Sequence, residues 1–481
     1  MSEGLDLRGL ARRGPVHFMG VAGAGMCALA ELLLRLGGTV TGCDLAPGRS
    51  TEALVALGAE IHEGHDPGHV ADVTAVVVSA AVPPDHAELE AARARGVPVV
   101  KRARALGSVV NRGTVVAVAG THGKTSTTAM ATQILAEAGR NPTGFVGGRV
   151  KGWGGNLRFG SDELFVVEAD EYDRSFHALE PTVAVVTNVE ADHLDVYGDL
   201  EGVRSAYRAF VLSVPERGRV VACGDDSGAS RLLPELGRRG WAYGLNPGPP
   251  LRAEDVRVSG TESRFRVVEE GRDRGGIRLR VPGVHHVRNA LGAAGAARQM
   301  GVEWEAIRRG LESYRGVGRR FQCLGTADGV RVVDDYAHHP TEVRATLEAA
   351  RAAFPEARIV AVFQPHLYTR TRDFAVEFGR ALSRADEVWV TDVYPAREEP
   401  IPGIDGELVA RAVEEGEGAP RVRYHAALEG LADALAESLA PGDVCLTLGA
   451  GSIEEVGPRI LVRLGAGPEN GAGGPGEDDR A

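Results

Sequence analysis

The feature that most constrains this chain is an apolar strand that runs into a glycine-rich turn and a lysine. Residues 114–119 read TVVAVA, and the letters GTHGKT follow at 120–125. The usual phosphate loop reads G-x-x-x-x-G-K-[ST], but Val118 stands where its first glycine would fall. The segment therefore predicts a shortened phosphate loop between a strand and a helix, with the helix running from Thr125 to Ala138.

A loop of this kind binds a nucleotide through its backbone and two side chains. N–H groups at the start of the helix cradle the phosphates, a lysine neutralises the β- and γ-phosphate oxygens, and a hydroxyl is a ligand of Mg²⁺. The alternative is an ordinary strand-to-helix turn that binds nothing. The flanking strand and helix favour the nucleotide, and the contacts with ATP and Mg²⁺ then fall on Gly120, Thr121, His122, Gly123, Lys124, Thr125 and Ser126.

The choice of lysine in this loop supports the same interpretation. All but three of the 54 Lys and Arg residues are arginine, and the three lysines are Lys101, Lys124 and Lys151. A compact ammonium fits against phosphate oxygens where a planar guanidinium does not. A lysine kept in the loop of an otherwise arginine-rich chain therefore indicates function.

A rhythm of apolar strand, loop with glycine or histidine, and helix occurs in three segments of the chain. Such a rhythm predicts α/β units with parallel sheets. The first segment extends to residue 108, the second from 109 to 320, and the third from 321 to 464. The Gly/Pro-rich, acidic stretch at 465–481 is expected to be a disordered tail.

The first segment carries a second glycine-rich loop. Gly23-x-Gly25-x-x-Ala28 matches the dinucleotide fingerprint, and Asp44 lies at the distance from it that suits contact with a ribose hydroxyl. The same geometry accepts NAD or any other diphosphate, including a nucleotide sugar. The alternative is a tight packing turn between a strand and a helix.

Carboxylates lie at the C-terminal end of the apolar strand predicted at 164–170 and just after it. Burying carboxylates at a strand end is costly unless a cation lies near, so they predict a Mg²⁺ shell beside the phosphates. A solvated acidic loop is the alternative. The four residues are Glu168, Asp170, Glu171 and Asp173.

A further apolar strand, at 182–189, also ends in polar side chains. Because open α/β sheets bind ligands at the carboxyl ends of their strands, these residues predict a second divalent-cation site or a site for a substrate carboxylate. A capping role for the histidine is the alternative. The residues are Asn188, Glu190, Asp192, His193 and Asp195.

The third segment brings together histidines and arginines in the stretches DDYAHHPTE and FQPHLYTRT. They predict recognition of an anionic substrate and of phosphates. A metal held by His338 and His339 together is disfavoured because neighbouring residues rarely point at one ion. The cationic set is His338, His339, His366, Arg370 and Arg372.

Composition excludes several classes of protein. The net charge of −12 disfavours nucleic acid as a main partner. No apolar run approaches the roughly 18 residues that a membrane span needs, and the first 20 residues have no apolar core of a signal peptide. Five scattered cysteines without a C-x-x-C pair predict neither a disulfide framework nor a zinc site, so a cytoplasmic protein is expected.

Taken together, these motifs resemble those of the Mur ligases. The resemblance extends over nearly all of residues 15 to 460 and includes the short form of the phosphate loop. It rests on GxGAGM, GTHGKT, EADE, NVEADHLD, DDYAHHPTE, FQPHxYTRT and VYPAREEPIPGIDG.

The resemblance implies three domains and an ATP-dependent ligase. The domains are a Rossmann-like UDP-sugar domain at 1–108, a central ATPase-like domain at 109–320 and a Rossmann-like ligase domain at 321–464. Within the family, the closest likeness is to the branch that joins L-alanine to the carboxylate of UDP-N-acetylmuramate through an acyl phosphate, in peptidoglycan precursor synthesis.

Residue roles follow from the resemblance position by position. It implies that Thr125 and Glu168 hold one Mg²⁺ and that His193 helps to hold a second. Asn289 is similar to the adenine-contacting asparagine of the family, and Asp335, His338 and Arg370 match positions that the C-terminal domain contributes. The residues that would face the UDP group are Gly23, Gly25, Met26, Asp44 and His65.

Two departures from the family pattern are present. The pattern G-x-H-N-x-x-N has His286 in place of its first asparagine. The later ligases of the family carry a carbamylated lysine near the second metal, whereas this chain has no lysine after Lys151. The second departure agrees with the alanine-adding branch.

Three alternatives remain at this stage. The nearest is the recycling ligase that attaches an intact peptide to the same UDP-sugar, although NVEADHLDVY and VYPAREEPIPG favour the alanine-adding enzyme. An NAD-dependent dehydrogenase would rest on the first glycine loop alone and would leave Lys124, Glu168 and His193 without a role. A non-catalytic sensor would bind UDP-sugar and ATP but release no phosphate.

Overall fold

The computed structural model describes residues 5–79, 81–416 and 418–466. Three separate sheets are present, of five, ten and six strands. Each is built largely from parallel strands, and helices alternate with strands along much of the chain. The α/β fold class predicted from the repeated strand-loop-helix rhythm is therefore confirmed.

The first sheet has the order of a Rossmann-like half-fold. Its strands lie in the order β3-β2-β1-β4-β5, and all pairings are parallel. The central strand β1 is buried along its whole length because it is covered on both faces. The strands are β1 Val16–Met19, β2 Val40–Asp44, β3 Glu60–Glu63, β4 Ala75–Val78 and β5 Val99–Lys101.

The second sheet places the phosphate-loop strand in the interior. Its order is β15-β14-β13-β12-β11-β10-β6-β9-β7-β8. The three strands between residues 251 and 279 are consecutive in the chain and neighbours in the sheet. The strands are β6 Thr114–Ala119, β7 Thr143–Phe145, β8 Leu157–Arg158, β9 Leu164–Glu168, β10 Val183–Val186, β11 Arg219–Cys223, β12 Gly240–Gly244, β13 Leu251–Ser259, β14 Glu262–Glu269 and β15 Arg272–Leu279.

The third sheet has the order β16-β17-β21-β18-β19-β20. Only the edge strand β16 is antiparallel to its neighbour, so the others form a parallel sheet with a core on each face. The strands are β16 Gln322–Ala327, β17 Val330–Asp335, β18 Ile359–Phe363, β19 Glu387–Val390, β20 Arg421–Tyr424 and β21 Val444–Leu448.

The helices cover the faces of these sheets. Short 3₁₀ segments lie at Pro67–Val70, Tyr172–Ala178, Gly237–Arg239 and Ser452–Glu455. The α-helices are α1 Leu7–Arg13, α2 Ala24–Arg35, α3 Arg49–Ala56, α4 Ala87–Ala94, α5 Arg102–Val110, α6 Lys124–Glu137, α7 Leu194–Tyr197, α8 Leu200–Ser213, α9 Ser227–Ser230, α10 Leu233–Leu236, α11 Val284–Gln299, α12 Trp304–Ser313, α13 Pro340–Ala353, α14 Tyr368–Leu382, α15 Gly406–Glu414, α16 Leu431–Ser438 and α17 Val456–Arg463.

The chain divides into two compact units. The first unit contains residues 1–255, 265–277 and 288–315, and the second contains 256–264, 278–287 and the chain from 316 onwards. The predicted domain boundaries at 108 and 320 remain predictions. Of the predicted tail, Gly465 and Ala466 still bond to the last turn of α17, and residues 467–481 lie outside the described part of the chain.

None of the helices in the described ranges combines the length and the apolar character that crossing a bilayer requires. All five cysteines are free thiols.

Candidate active site

The phosphate loop begins where β6 ends. Gly120 has a φ of +144° and Gly123 a φ of +81°, values that side-chain-bearing residues rarely adopt. A Cβ on Gly120 would lie 1.8 Å from Thr187 Oγ1, so the loop passes this side chain too closely for any residue but glycine. Gly123 is the N-cap of α6, which therefore starts at Lys124, one residue earlier than predicted.

The order of the strands explains why polar groups converge on this loop. β6 lies between β9 and β10, with Val118 paired with Glu168 and Ala119 paired with Val186. Because all three strands are parallel, their carboxyl ends meet at one edge of the sheet. The residues that follow each strand therefore surround the start of α6.

Lys124 is held in the loop by an ion pair. Its Nζ donates to Glu171 Oε2 at 2.8 Å and to the carbonyl oxygen of Gly120 at 2.8 Å. Burial by itself lowers the pKa of Lys124, but the carboxylates around it, Glu171 first, more than offset this and raise it above the ordinary value. The ammonium thus stays charged at the place predicted for the phosphates.

The pKa of Glu171, the partner of Lys124, is set by two opposing effects. Glu171 is 2% exposed, and burial raises its pKa to about 7 although the Lys124 ammonium opposes the shift. The Tyr197 hydroxyl donates to the Glu171 carbonyl oxygen at 2.5 Å and fixes the backbone there. The sequence analysis assigned Glu171 to a Mg²⁺ shell, whereas in the structure its carboxylate pairs with Lys124.

Thr125 and Glu168 lie side by side. The Thr125 hydroxyl donates to both carboxylate oxygens of Glu168 at 3.0 Å, and the Gly147 N–H donates to Glu168 Oε2 at 2.7 Å. A hydroxyl and a carboxylate at this spacing are the hard oxygen donors that Mg²⁺ prefers. The pair therefore fits a Mg²⁺ ion beside a bound nucleotide.

His193 stands at the edge of the same group. Its Nε2 lies 3.8 Å from Glu171 Oε1 and 3.8 Å from Asp192 Oδ2. Its backbone is in the left-handed region, with a φ of 53°, which turns the chain into α7.

One of the four predicted strand-end carboxylates points elsewhere. Asp173 pairs with the exposed Lys101 at 2.7 Å.

Asn188 fixes the loop through two hydrogen bonds to one residue. Its Oδ1 accepts from the His122 N–H at 2.8 Å, and its Nδ2 donates to the His122 carbonyl oxygen at 3.0 Å. Thr121 Oγ1 accepts from the Glu190 N–H at 3.0 Å. These residues shape the loop, and buried Ser126 follows in the first turn of α6.

Asn289 reaches the phosphate loop from α11. A Cβ on Gly123 would lie 2.5 Å from Asn289 Oδ1, so the amide lies directly against that glycine. His286, which replaces the first asparagine of the family pattern, lies three residues before Asn289. It is buried, and its ring nitrogen Nδ1 lies 2.7 Å from the Pro282 carbonyl oxygen. Burial lowers the pKa of His286 to about 4, so the ring is neutral and supports the start of α11.

The first glycine loop lies at the start of α2. Gly23 is its N-cap, and a Cβ on Gly25 would lie 2.9 Å from Arg102 Nη1. Asp44, at the end of β2, accepts from the Ala22 N–H at 2.9 Å. The Met26 side chain is buried in the core of the first unit, so only its backbone is available to a ligand.

His65 follows β3, and its ring is held in place by Glu88 and Cys43. Its Nδ1 lies 3.0 Å from Glu88 Oε2 and 3.2 Å from Cys43 Sγ. Glu88 is completely buried, as are Cys43 and His17 nearby. Sequence reasoning did not find this cluster.

The C-terminal residues form a group within the second unit. Asp335 accepts from the N–H groups of Phe321 at 2.7 Å and Ala337 at 2.8 Å, and burial raises its pKa to about 6. Arg370 Nη1 lies 3.2 Å from His366 Nδ1, and the rings of His338 and His366 are 5.7 Å apart. The structure thus gathers Lys124, Thr125, Glu168, His193 and Asn289 in the first unit, and Asp335, His338 and Arg370 in the second.

Comparison with known families decides the identity of the fold. The chain matches the description "Mur ligase family, catalytic domain" at residues 15–114, "Mur ligase middle domain" at 118–297, and "Mur ligase, glutamate ligase domain" at 319–451. A UDP-N-acetylmuramate–L-alanine ligase from Rubrobacter xylanophilus is 47% identical over 450 residues, which is 93% of this chain and 100% of that protein.

The chain belongs to the Mur ligase family.

A second relative of this Mur ligase gives the same result. The UDP-N-acetylmuramate–L-alanine ligase of Oleidesulfovibrio alaskensis is 44% identical over 446 residues, covering 93% of this chain and 98% of the relative. Among solved structures, the UDP-N-acetylmuramate-alanine ligase MurC from Thermotoga maritima superposes with a TM-score of 0.80 at 30% identity, covering 94% of this chain and 99% of that one. The predicted family and the three-domain α/β architecture are confirmed.

Proposed function

We propose that this Mur ligase joins L-alanine to the carboxylate of UDP-N-acetylmuramate, with conversion of ATP to ADP and phosphate, in peptidoglycan precursor synthesis. The observation that carries the proposal is the near-full-length likeness to ligases of that name at 44% and 47% identity. The arrangement of Lys124, Thr125 and Glu168 at one sheet edge supports it because the reaction begins with a phosphoryl transfer.

The chemistry proceeds in two steps. A carboxylate oxygen of the sugar's lactyl group attacks the γ-phosphorus of ATP, forming a C–O–P linkage and releasing ADP. The uncharged amine of L-alanine then attacks the acyl carbon, phosphate leaves with the bridging oxygen, and the amine loses a proton as the amide forms. The first step makes a poor electrophile reactive, and it depends on positioning and charge neutralisation.

Lys124 and the phosphate loop supply that neutralisation. The first turn of α6, from Lys124 onwards, presents backbone N–H groups that have no partner within the helix, and there the helix dipole favours anions. In the present structure Glu171 holds the ammonium, so phosphate oxygens replace this carboxylate as the partner when ATP binds. The pKa of Glu171 near 7 eases the exchange because a proton can neutralise the displaced carboxyl group.

Mg²⁺ fits the oxygen donors of Thr125 and Glu168, and His193 lies where it would assist at a second ion. When bound, Mg²⁺ would neutralise negative charge that develops on the transferred phosphoryl group. The Thr125 hydroxyl and the Glu168 carboxylate hold each other in place at 3.0 Å, and the Gly147 N–H orients the carboxylate further. We propose that Asn289, whose amide lies against Gly123, contacts the adenine of ATP as the matching asparagine of the family does.

The first glycine loop is proposed to bind the UDP group. Gly23 and Gly25 leave room at the start of α2 for a diphosphate, and the neighbouring Asp44 and His65 offer contacts to ribose or uracil. Met26 contributes through its backbone. In the second unit, Arg370 carries a positive charge suited to the acyl phosphate, the neighbouring His338 offers a ring nitrogen for a hydrogen bond, and Asp335 accepts from the Ala337 N–H in the loop that leads to His338.

The proposed organisation is a UDP-sugar domain at 1–108, an ATP domain at 109–320 and a ligase domain at 321–464, in a protein of the cytoplasm. Phosphate release from ATP, measured with UDP-N-acetylmuramate and either L-alanine or a peptide beginning with L-alanine, tests the proposal. Release that needs the sugar and prefers free L-alanine supports it. Preference for the peptide would assign the recycling reaction instead, and absence of release with both would refute the ligase activity on this sugar.

A further inference from the structure

A cluster of histidine, cysteine and glutamate side chains lies in the first unit, behind the loop that carries His65. It draws on four separate elements: β1, the end of β2, the 3₁₀ segment Pro67–Val70 and the first turn of α4. The ligand atoms of four of its residues all lie within 4.8 Å of one another. These residues are His17, Cys43, His69 and Glu88.

Distances within the cluster match the corners of a tetrahedral metal site. His17 Nε2 is 3.3 Å from Cys43 Sγ, Cys43 Sγ is 3.6 Å from Glu88 Oε1, and His69 Nδ1 is 2.8 Å from Glu88 Oε1. Bonds of about 2.0–2.3 Å to zinc place tetrahedral ligands about 3.3–3.8 Å apart. Of these three contacts, the last must widen when an ion binds, and the His69 side chain is partly exposed, at 16%.

The charge balance of the cluster calls for a cation. Glu88 is completely buried, and within the described residues its carboxylate meets histidine rings, the Cys43 thiol and the Asp66 N–H, with no lysine or arginine paired to it. A buried carboxylate without a cation is costly. A divalent ion bound to Glu88 and the Cys43 thiolate would remove that cost.

Neighbouring side chains hold the donor atoms of the cluster in place. His17 Nδ1 lies 2.9 Å from Thr41 Oγ1, which leaves Nε2 directed at Cys43. The ring of His62 stacks on that of His69 at 4.3 Å. Burial lowers the pKa of His17 to about 4, so its ring is neutral at pH 7, as a metal ligand must be.

We propose that His17, Cys43, His69 and Glu88 form a binding site for one borderline divalent transition ion of the Zn²⁺ class. Two imidazoles, a thiolate and a carboxylate are the donors that Zn²⁺ accepts, and they disfavour Mg²⁺ and Ca²⁺. Four protein ligands leave no open position, so the ion is structural. It ties the end of β2, next to Asp44, to the segment that carries His65.

Cobalt(II) substitution of the full-length protein tests the proposal. The chain is freed of metal with a chelator and titrated with Co²⁺ in excess Mg²⁺, which occupies the oxygen-donor site. Tetrahedral thiolate-bound Co²⁺ gives intense visible bands and a near-ultraviolet sulfur-to-metal band that oxygen and nitrogen ligands alone do not give. We expect both bands to saturate at one equivalent and to be lost on addition of Zn²⁺.

Two variants and a control locate the site. Cys43→Ser should abolish the sulfur-to-metal band, and His69→Asn should weaken Co²⁺ binding at least about 100-fold, since loss of a residue that only orients a metal ligand already costs about 10–100-fold. Cys445→Ser, which alters another buried thiol in the second unit, should leave the spectrum unchanged. His69 is partly exposed, so its variant keeps the test valid if Cys43→Ser does not fold. Absence of the bands in the wild type, or their persistence in folded Cys43→Ser, would overturn the proposal.

Discussion

Lys124→Met changes both catalysis and stability, and the second effect depends on pH. The substitution keeps the length of the side chain but removes the ammonium that pairs with Glu171 at 2.8 Å. Removing one partner of a buried ion pair costs about 3–5 kcal/mol because the other charge is left buried alone. We therefore expect a destabilised chain that releases no phosphate from ATP.

Protonation of Glu171 relieves part of that cost. Its pKa in the folded chain is raised to about 7 from an ordinary value of 4.5, so the folded chain binds a proton that the unfolded chain releases, and stability falls as pH rises through this window. Without Lys124 we expect the pKa to exceed about 8. From pH 8 to pH 6 the variant should then gain about 2.7 kcal/mol, at about 1.36 kcal/mol per pH unit, and the wild type about half as much.

Urea unfolding at pH 6 and pH 8, followed by tryptophan fluorescence, measures this difference. Three of the four tryptophans, Trp153, Trp241 and Trp304, lie in the same unit as Lys124, so the signal reports mainly on that unit. Lys151→Met, at an exposed lysine of the same unit, is the matched control and should behave as the wild type. A variant whose loss of stability is the same at both pH values would refute the buried-pair reasoning, and normal phosphate release would refute the role of Lys124.

Three further substitutions test the two nucleotide-binding loops. Thr125→Val should raise the Mg²⁺ concentration needed for half-maximal phosphate release, whereas Thr128→Val, which removes a hydroxyl bonded to the helix backbone, should not. Gly123→Ala should abolish the ATP binding measured by calorimetry, since the added Cβ would lie 2.5 Å from the Asn289 amide oxygen. Gly139 has a similar φ of +73° but open space around it, so Gly139→Ala should bind ATP normally. Asp44→Ala should raise the KM for the UDP-sugar roughly tenfold and leave the KM for ATP unchanged, since one hydrogen bond to a charged group contributes about 1.5–3 kcal/mol. Equal changes in both KM values would argue against a contact between Asp44 and the sugar nucleotide.

The sequence predicted the meeting of Thr125 and Glu168 for a physical reason that holds in many α/β proteins. Apolar runs identified the buried strands, and parallel strands bring their carboxyl ends to one edge. The prediction did not require the full strand order, because any sheet in which β6 is next to β9 brings the Thr125 and Glu168 side chains close together. The structure places them 3.0 Å apart.

Other features depend on details that no local pattern carries. The pairing of Lys124 with Glu171 depends on the path of the chain after β9, where Asp173 and Arg174 have left-handed backbones that short motifs do not encode. The cluster around Glu88 depends on the register that pairs Met19 with Cys43, since its members are spread along the chain from residue 17 to residue 88. No short motif therefore brings these side chains together in the sequence.

Transfer of a labelled oxygen tests the central claim most directly. UDP-N-acetylmuramate with ¹⁸O at both oxygens of its lactyl carboxylate is incubated with ATP, Mg²⁺, L-alanine and the protein, and the phosphate released is examined by mass spectrometry. If the carboxylate attacks the γ-phosphorus and alanine then displaces phosphate, each phosphate carries one ¹⁸O. Phosphate released without the label would contradict the account, because ATP would then have been cleaved by water and not by the carboxylate of the sugar.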